Sequence, residues 1–243
     1  MSRFFIPPEA VKGNKIVISG REAHHILDVM RLQASDNVVT FDGTGKEYAG
    51  VIKEISRNSL TVEIAETRIS SEKITSEITL LQALPKKEKM DYIVEKSTEL
   101  GVHSILPVVT ARTIPDWDEA KKRAQAERWR KIATEAAKQC GRVDIPAISP
   151  IAAFTDAVNE FTHFDMRLIA VLNNETISIK EAMKGFELGK IVIAIGPEGD
   201  FTADETKSAQ KNGFKAISLG PRVLKSDTAG LALLSILNYE LSE

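Results

Sequence analysis

The sequence predicts two domains of different class: a small β-barrel, followed by a larger α/β domain built on a parallel sheet. Short β-type runs separated by turn residues fill the first seventy or so positions. From Ile78 onward, continuous apolar runs alternate with helical patterns, which is typical of parallel strands buried on both faces. The polar stretch 67–76 lacks sustained periodicity. We therefore place the boundary near residue 73, between domains of residues 1–72 and 73–243.

Composition is that of an ordinary folded protein. The 243 residues are 43% hydrophobic and 27% charged, with 14 Gly and 9 Pro, which excludes collagen-like and wholly disordered classes. The 32 basic residues nearly cancel the 34 acidic ones, giving a formal net charge of −2. No global charge therefore indicates a nucleic-acid partner, and any such partner has to be inferred from local clusters.

Cysteine use and the chain ends favour the cytoplasm. The single cysteine, Cys140, has no partner for an internal disulfide, and the four scattered histidines lack structural-zinc spacing. Near the N-terminus, Pro7 and Pro8 cut off a short apolar stretch that is far too small for a signal peptide. The longest apolar runs fall well below the roughly 20 residues of a membrane span. We expect a cytoplasmic protein with no metal and no membrane partner.

The elements of the first domain follow from apolar alternation and turn chemistry. Turn residues at Asp42-Gly43 and at 57–59 separate the strands, and a helix-compatible segment, 21–32, interrupts them. The predicted strands are 4–6, 16–19, 38–41, 48–52 and 60–64.

In the second domain the predicted strands are 78–84, 105–109, 168–172, 191–195 and 216–219. Apolar residues recur at helical spacing from Met90 to Leu100, and Gly101 follows as a C-terminal stop. A second helix carries a stripe of mostly small residues that ends at Cys140, with Gly141 after it.

Basic residues concentrate in this second helix, with eight basic against three acidic residues from Glu119 to Arg142. Lys86, Lys87 and Lys89 follow the first strand of the domain, at the sheet edge where open α/β sheets bind ligands. Together the two clusters favour a polyanionic partner. A solvated helix face explains the charges of the helix equally well.

Two glycine-proline loops carry the chemistry. The first corner, Gly-Pro-Glu-Gly-Asp at residues 196–200, joins a strand to a helix that a Thr202/Glu205 capping box begins. Gly196 and Gly199 lack Cβ atoms, which lets a ligand approach the backbone, and Pro197 stiffens the turn between them. Any tight strand-to-helix turn also accepts Gly-Pro, so this corner by itself leaves the function open.

The second corner, Gly-Pro-Arg-Val-Leu-Lys at residues 220–225, repeats the design after strand 216–219. Ser226 or Asp227 caps the apolar helix 228–241 that follows. Two such corners at neighbouring strand ends form a pocket. Neither matches a dinucleotide-binding or P-loop pattern, so NAD and ATP are disfavoured.

Together the corners resemble the paired signature of the ribosomal RNA small subunit methyltransferase E family, a branch of the SPOUT methyltransferases. Order and spacing agree, and further matches span nearly the whole chain: Phe4, 24–31, 96–101 and 135–142. Three departures stand in the corners. Asp200 replaces the usual glycine, Lys225 the usual arginine, and Ser226-Asp227 the usual threonine-glutamate.

The resemblance implies a PUA-like barrel, a deep trefoil knot in the α/β domain, and S-adenosylmethionine held in the knot by the backbone of three loops. It also implies a homodimer, for which the small-residue stripe ending at Cys140 offers independent support. The implied cofactor-binding residues are Leu172, Asn173, Gly196, Pro197, Glu198, Gly199, Leu219, Gly220, Val223 and Leu224.

The implied reaction is methylation of N3 of one uridine in the decoding region of 16S rRNA, in the 30S subunit. Because uracil N3 is a weak nucleophile until its proton leaves, the site needs a cation or a base. We expect Arg222 to be the cation and Glu198 the base. Equally open are a structural clamp for Arg222, and for Glu198 an acceptor of backbone hydrogen bonds at its own turn.

RNA contact is expected from basic side chains of both domains, through shape and phosphates. The candidates are Arg3, His25, Arg31, Lys86 and Arg142. Two alternatives stay open. One is a ribosome-assembly RNA binder without catalysis, favoured by the carboxylate of Asp200 in the cofactor turn; the other is a SPOUT methyltransferase acting on another rRNA or tRNA base. A phosphotransferase is disfavoured because the sequence has no P-loop.

Overall fold

The computed structural model describes residues 3–69, 76–86, 89–114, 116–172 and 175–241. The chain divides into two compact units. Unit 1 comprises Met1–Glu72 and Thr134–Ile145, and unit 2 comprises Lys73–Ala133 and Pro146–Glu243. The predicted boundary near residue 73 falls outside the described residues and stays a prediction. No sequence pattern indicated that the segment 134–145 belongs with the first unit.

Unit 1 is a mixed six-stranded sheet that forms a half-barrel. Its strands are β1 (Arg3–Phe5), β2 (Val11–Lys12), β3 (Lys15–Ser19), β4 (Asn37–Phe41), β5 (Lys46–Ser56) and β6 (Ser59–Ile69). They lie in the order β1-β4-β5-β6-β3-β2, with β1 parallel to β4 and every other pair antiparallel. All five predicted strands are confirmed in place, although β5 and β6 run four and five residues further than predicted.

The core of unit 1 comes from alternate positions of these strands and from one short helix. Strand β3 alternates exposed and buried residues, so that Ile16 and Ile18 face inward. The predicted helix is present but changes character along its length. An α-helical turn, α1 (Gly20–His24), continues as a π-helical turn, His25–Val29, which buries Ile26.

A buried polar cluster lies within unit 1. Asp42 accepts hydrogen bonds from the Thr44 amide at 2.9 Å, the Thr44 hydroxyl at 2.7 Å and the Tyr48 hydroxyl at 2.9 Å. Burial by itself raises the pKa of Asp42, but hydrogen bonds from Thr44, Tyr48 and Lys46 outweigh it, and the pKa is lowered. Burial, with the adjacent Asp42 carboxylate, raises the pKa of Tyr48 to about 12.

Unit 2 contains a sheet of eight parallel strands. They are β7 (Glu77–Ala83), β8 (Ser104–Val109), β9 (Ala147–Ile148), β10 (Ala152–Ala153), β11 (Met166–Ala170), β12 (Ile177–Ser178), β13 (Lys190–Ile195) and β14 (Lys215–Ser218). The order is β10-β8-β7-β13-β11-β14-β12, and β9 pairs with β8. The five predicted strands are confirmed to within two residues. The other three, β9, β10 and β12, have only two residues each and give no periodic signal.

The remaining helices are α2 (Lys89–Glu99), α3 (Glu119–Cys140), α4 (Phe154–Ala157), α5 (Ile179–Ala182), α6 (Ala203–Lys211) and α7 (Ser226–Leu241). The capping box of α6 is confirmed, since Thr202 accepts from the Glu205 amide and Glu205 accepts from the Thr202 amide. Helix α7 begins at Ser226 instead of Thr228. The amides of Thr228 and Ala229 donate to the carbonyl of Lys225, and both Ser226 and Asp227 lie inside the helix. The predicted side-chain cap by Ser226 or Asp227 is therefore wrong.

The α/β class is confirmed. Strand β13 is buried from Ile191 to Ile195, with β7 and β11 paired on its two sides and α7 packed against it. The trefoil knot stays a prediction. Among the helices in the described ranges, none has the length and apolarity that a bilayer span requires.

Tyr48→Phe tests the buried cluster of unit 1. Because the folded-state pKa of Tyr48 is raised above the unfolded value of about 10, the hydroxyl stabilises the fold fully below pH 10, and this contribution is lost as the pH rises through about 12. We expect the difference in unfolding free energy between the unmodified chain and Tyr48→Phe to become smaller by roughly 2 kcal/mol across that window. Urea titrations at pH 7, 10 and 11.5 measure it. The exposed Tyr92→Phe is the control, and an advantage independent of pH would contradict the assignment.

Candidate functional site

The carboxyl ends of three neighbouring strands meet at one edge of the unit 2 sheet. Ala170 of β11 pairs with Ile195 of β13 on one side and with Ile217 of β14 on the other, so the loops after these strands lie next to one another. They enclose a cleft of about 470 Å³. Its lining residues are Ala170, Val171, Leu172, Ile195, Gly196, Pro197, Glu198, Asp200, Ser218, Leu219, Gly220, Pro221, Arg222, Val223, Leu224, Lys225, Ser226 and Ala229.

Most of the sequence-predicted cofactor residues line this cleft: Leu172, Gly196, Pro197, Glu198, Leu219, Gly220, Val223 and Leu224. The predicted cation, Arg222, lines it as well. Asn173 lies outside the described residues. Gly199 belongs to the same turn, but the direction in which its side chain would point is filled by Arg112.

The first corner, residues 196–200, is a closed turn. The amide of Asp200 donates to the carbonyl of Pro197 at 3.0 Å. A Cβ on Gly196 would lie 3.2 Å from the ring of Phe201, a tight contact that only a small shift of the ring would relieve, so the packing favours glycine here. The expectation that the missing Cβ lets a ligand approach the backbone stays a prediction.

Arg112 braces the first corner from outside the cleft. Its Nη1 donates to the carbonyl of Gly199 at 2.5 Å, and the amide of the preceding residue, Ala111, donates to Glu205 at 2.7 Å. Sequence analysis missed Arg112. A lone arginine in a loop after a strand gives no signal that it touches a turn 87 positions later.

The second corner, residues 220–225, depends on one left-handed glycine. Gly220 has φ 109°, a conformation that side-chain-bearing residues rarely adopt. Beyond it, Arg222 and Lys225 are exposed on the cleft wall, and neither forms an ion pair with any residue that the structure describes. This wall therefore presents two uncompensated positive charges.

A buried bridge joins both corners to strand β7. The hydroxyl of Ser226, the first residue of α7, donates to the carbonyl of Gly196 at 2.6 Å. It accepts a hydrogen bond from Nε2 of Gln82 at 3.0 Å, and both side chains are buried. Ser226 thus fixes the start of the first corner relative to the end of the second. Neither the capping prediction for Ser226 nor its departure from the usual threonine indicated this contact, and no sequence signal pointed to Gln82.

Glu198 is held by the loop that follows β7. Its two carboxylate oxygens accept from the amide of Lys86 at 3.2 and 3.3 Å, and Oε1 lies 3.4 Å from Nζ of Lys89. The same ammonium group lies 3.5 Å from Asp227. Lys89 therefore bridges one carboxylate from the first corner and one from the first turn of α7.

The predicted RNA-contact residues of unit 1 differ in availability. Arg3 forms an ion pair with Glu47 at 2.5 Å and donates to the carbonyl of Gly141, and Arg142 pairs with Asp144. Both guanidinium groups therefore have structural roles within unit 1, which does not favour RNA contact.

Of the other two candidates in unit 1, only Arg31 is fully accessible. His25 is half-buried with its ring edge-on to Phe4, and Arg31 is exposed. In unit 2, the fifth candidate, Lys86, is exposed beside the first corner.

Much of the positive charge in α3 is neutralised within the chain. Four of its basic side chains have acidic partners: Lys122 with Glu119, Arg128 with Asp91, Arg130 with Glu127, and Lys138 with Glu22 and Glu135. The small residues Ala133, Ala136 and Ala137 are buried in the single chain. These three alanines are therefore not free to form a dimer contact, whereas Cys140 at the end of the stripe is exposed, and the homodimer stays a prediction.

Both parts of the chain match known domain families. The sequence profile of an RNA methyltransferase domain matches residues 72–238, which is more than half of the chain, and that of an RNA methyltransferase PUA domain matches residues 18–65. This chain belongs to the RNA methyltransferase family. The cleft at the corners lies inside the matched methyltransferase domain.

Relatives confirm the resemblance to the E-type enzymes. Proteins named ribosomal RNA small subunit methyltransferase E are 28% identical in Bacillus subtilis, over 99% of this chain and 97% of the relative, and 29% identical in Synechocystis, over 97% and 77%. A solved enzyme of that name from Neisseria gonorrhoeae, bound to S-adenosyl methionine, is 28% identical with a TM-score of 0.84, covering 99% and 98% of the two chains. A putative methyltransferase from Legionella pneumophila, also in complex with this cofactor, is 28% identical with a TM-score of 0.84 and covers 98% and 97%.

Ser226→Ala tests the buried bridge. The change leaves Nε2 of Gln82 without its hydroxyl partner and the carbonyl of Gly196 without a donor, so we expect a loss of about 1–3 kcal/mol in unfolding free energy. Ser235→Ala removes an exposed hydroxyl of the same helix and should cost less than about 0.5 kcal/mol. Urea unfolding of the two variants measures the difference. Equal unfolding free energies for Ser226→Ala and Ser235→Ala would show that the hydrogen bonds of Ser226 do not stabilise the fold.

Proposed function

We propose that this chain is an S-adenosylmethionine-dependent methyltransferase that methylates N3 of one uridine in the decoding region of 16S rRNA, within the 30S subunit. The observation that carries the proposal is the cleft formed by the two corners and the end of β11 in an RNA methyltransferase domain. Relatives that align over nearly the whole chain carry the small-subunit methyltransferase name, and two similar structures hold the cofactor.

The cleft suits a nucleoside-sized cofactor. Its volume of about 470 Å³ lies within the range of small-molecule sites, and its walls combine backbone groups with the apolar side chains of Leu172, Val223 and Leu224. We propose that the backbone of the two corners and of Leu172 holds the donor. When bound, the cofactor supplies an electrophilic methyl group on a sulfonium centre.

The protein's main task in this reaction is alignment. With the cofactor bound, uracil N3 would take the methyl group as the carbon–sulfur bond breaks, the thioether would leave with the electron pair, and the N3 proton would pass to an acceptor. A near-attack geometry supplies much of the rate enhancement of such a displacement. A rigid cleft whose corners are tied to β7 by Ser226, Gln82 and Glu198 serves that purpose.

Arg222 is the proposed electrostatic catalyst. It lies on the cleft wall, exposed, with no carboxylate partner among the described residues, so its guanidinium is available to uracil oxygens as negative charge develops. A clamp role would require contacts with its own loop. None of the hydrogen bonds and ion pairs described above engages it.

For Glu198 the contacts favour a structural role over the role of base, although the partners lie on the loop after β7 and not in its own turn. Its carboxylate is occupied by the amide of Lys86 and the ammonium of Lys89, which hold the first corner against the loop after β7. We therefore propose Glu198 first as a brace of the cleft. Proton acceptance is its second candidate role.

RNA recognition is assigned to accessible basic groups and to the PUA domain. We propose that Arg31 and His25 of unit 1, and Lys86 beside the cleft, contact phosphates or bases. Binding should then be strongly salt-dependent, because each neutralised phosphate releases counterions.

A homodimer completes the proposal. A groove of about 900 Å³ runs along α7, beside Ser218 and Gly220 of the second cleft wall. Ile236 and the strongly exposed Tyr239 line it, and an apolar surface of this kind next to a site suits a second copy of the chain. Action on the small ribosomal subunit would place the protein in the cytoplasm.

Arg222→Ala tests the mechanism. We expect turnover on 30S subunits lacking the methyl group to fall more than about tenfold, with the affinity for S-adenosylmethionine nearly unchanged, because the cation acts on the developing negative charge. Methyl transfer with labelled cofactor and calorimetry measure the two quantities. Arg57→Ala, an exposed arginine at the β5–β6 turn, is the control.

A fall of less than tenfold in Arg222→Ala would reject the electrostatic role. Mass mapping of the methylated nucleotide decides the substrate. A methyl group found on 23S rRNA, on tRNA or at another atom would replace the proposed target. If no methyl group is transferred while RNA binding is intact, the non-enzymatic alternative is favoured.

A further inference from the structure

We infer that Asp200 is a positioning residue of the cleft, because its carboxylate ties the end of β11 to the first corner. Its Oδ2 accepts a hydrogen bond from the amide of Leu172 at 2.9 Å, and its Oδ1 accepts one from the amide of Phe201 at 2.8 Å. Asp200 and Leu172 both line the cleft, on loops that are 28 residues apart in the chain. We refer to the hydrogen bond between Leu172 and Asp200 as the Asp200 bridge.

The Asp200 bridge forms although the backbone conformation of Asp200 costs conformational free energy. Its φ is 60°, in the left-handed region that glycine adopts freely and other residues rarely do. Such a conformation persists where surrounding contacts determine it. Here three hydrogen bonds determine it: two from backbone amides to the carboxylate, and one from the Asp200 amide to the carbonyl of Pro197.

A glycine at position 200 would adopt the same φ without strain, but it would offer no side-chain acceptor to Leu172. This chain therefore combines a less favourable backbone with a bond between two walls of the cleft.

The same contacts weaken the argument for the RNA binder without catalysis, which the carboxylate of Asp200 in the cofactor turn favoured. Both oxygens accept hydrogen bonds from backbone amides, so the charge is stabilised within the wall. The bridge also holds the backbone of Leu172, a residue that is 62% exposed. A ligand that spans both walls then meets a surface ordered in advance, which raises affinity by reducing the ordering cost.

The identity of that ligand, S-adenosylmethionine, rests on the proposed function, whereas the bridge itself does not. The experiment therefore has one readout without cofactor and one with it. The variants are Asp200→Gly, which removes the acceptor and the strain, and Asp200→Asn, which tolerates the left-handed conformation and keeps one acceptor oxygen. Ser35→Gly in unit 1, where φ is 78°, is a matched control that relieves similar strain away from the cleft.

Hydrogen exchange of the Leu172 amide in the cofactor-free protein is the first readout. In Asp200→Gly we expect exchange about tenfold faster or more, from the loss of a charge-assisted hydrogen bond, with an intermediate rate in Asp200→Asn. The melting temperature should change little, because relief of strain opposes the loss of the bonds. Ser35→Gly should leave the Leu172 rate unchanged.

Calorimetry with S-adenosylmethionine is the second readout. We expect the dissociation constant of Asp200→Gly to rise about five- to tenfold, while turnover at saturating cofactor stays within about twofold, because the bridge orders the wall and touches no reacting atom. An unchanged Leu172 exchange rate, or an unchanged dissociation constant, would overturn the inference. If the unmodified chain binds no cofactor, the proposed function fails, and the exchange rates still decide whether the bridge exists.

Discussion

The parallel pairing of β13 between β7 and β11, with β14 on the far side of β11, is the constraint on which the site depends. Parallel strands end at the same edge of a sheet, so the loops after β11, β13 and β14 converge there wherever they lie in the sequence. The register places Ala170 beside both Ile195 and Ile217, which brings the two corners and Leu172 to one cleft. Everything proposed about function uses that convergence.

Side-chain bonds then turn three adjacent loops into one rigid wall. Ser226 connects the first corner to the start of α7 and to Gln82 of β7, Glu198 connects it to the loop after β7, and Asp200 connects it to Leu172. All of these partners are far apart in sequence. The reacting partners proposed for the cleft need alignment more than activation, and a wall with several cross-links supplies alignment.

Much of this organisation could be predicted from the sequence, and the rest could not for physical reasons. Apolar runs located the five long strands of unit 2, and the Thr202/Glu205 pattern located the start of α6, because these signals are local. Arg112, Gln82 and the Asp200 bridge stayed hidden, because each depends on which strands become neighbours. The ion pairs that neutralise α3 stayed hidden for the same reason, and Arg3 was expected to face RNA although Glu47 of a distant strand pairs with it.

The central claim is that a methyl donor binds in the cleft through the backbone of the two corners and the end of β11. A crystal structure of the protein grown with saturating S-adenosylmethionine tests it most directly. The account predicts electron density for the cofactor between Leu172, the first corner and the second corner, with hydrogen bonds to their main-chain atoms. Density for the cofactor at another place, or a cleft with no cofactor while the donor binds in solution, would contradict it.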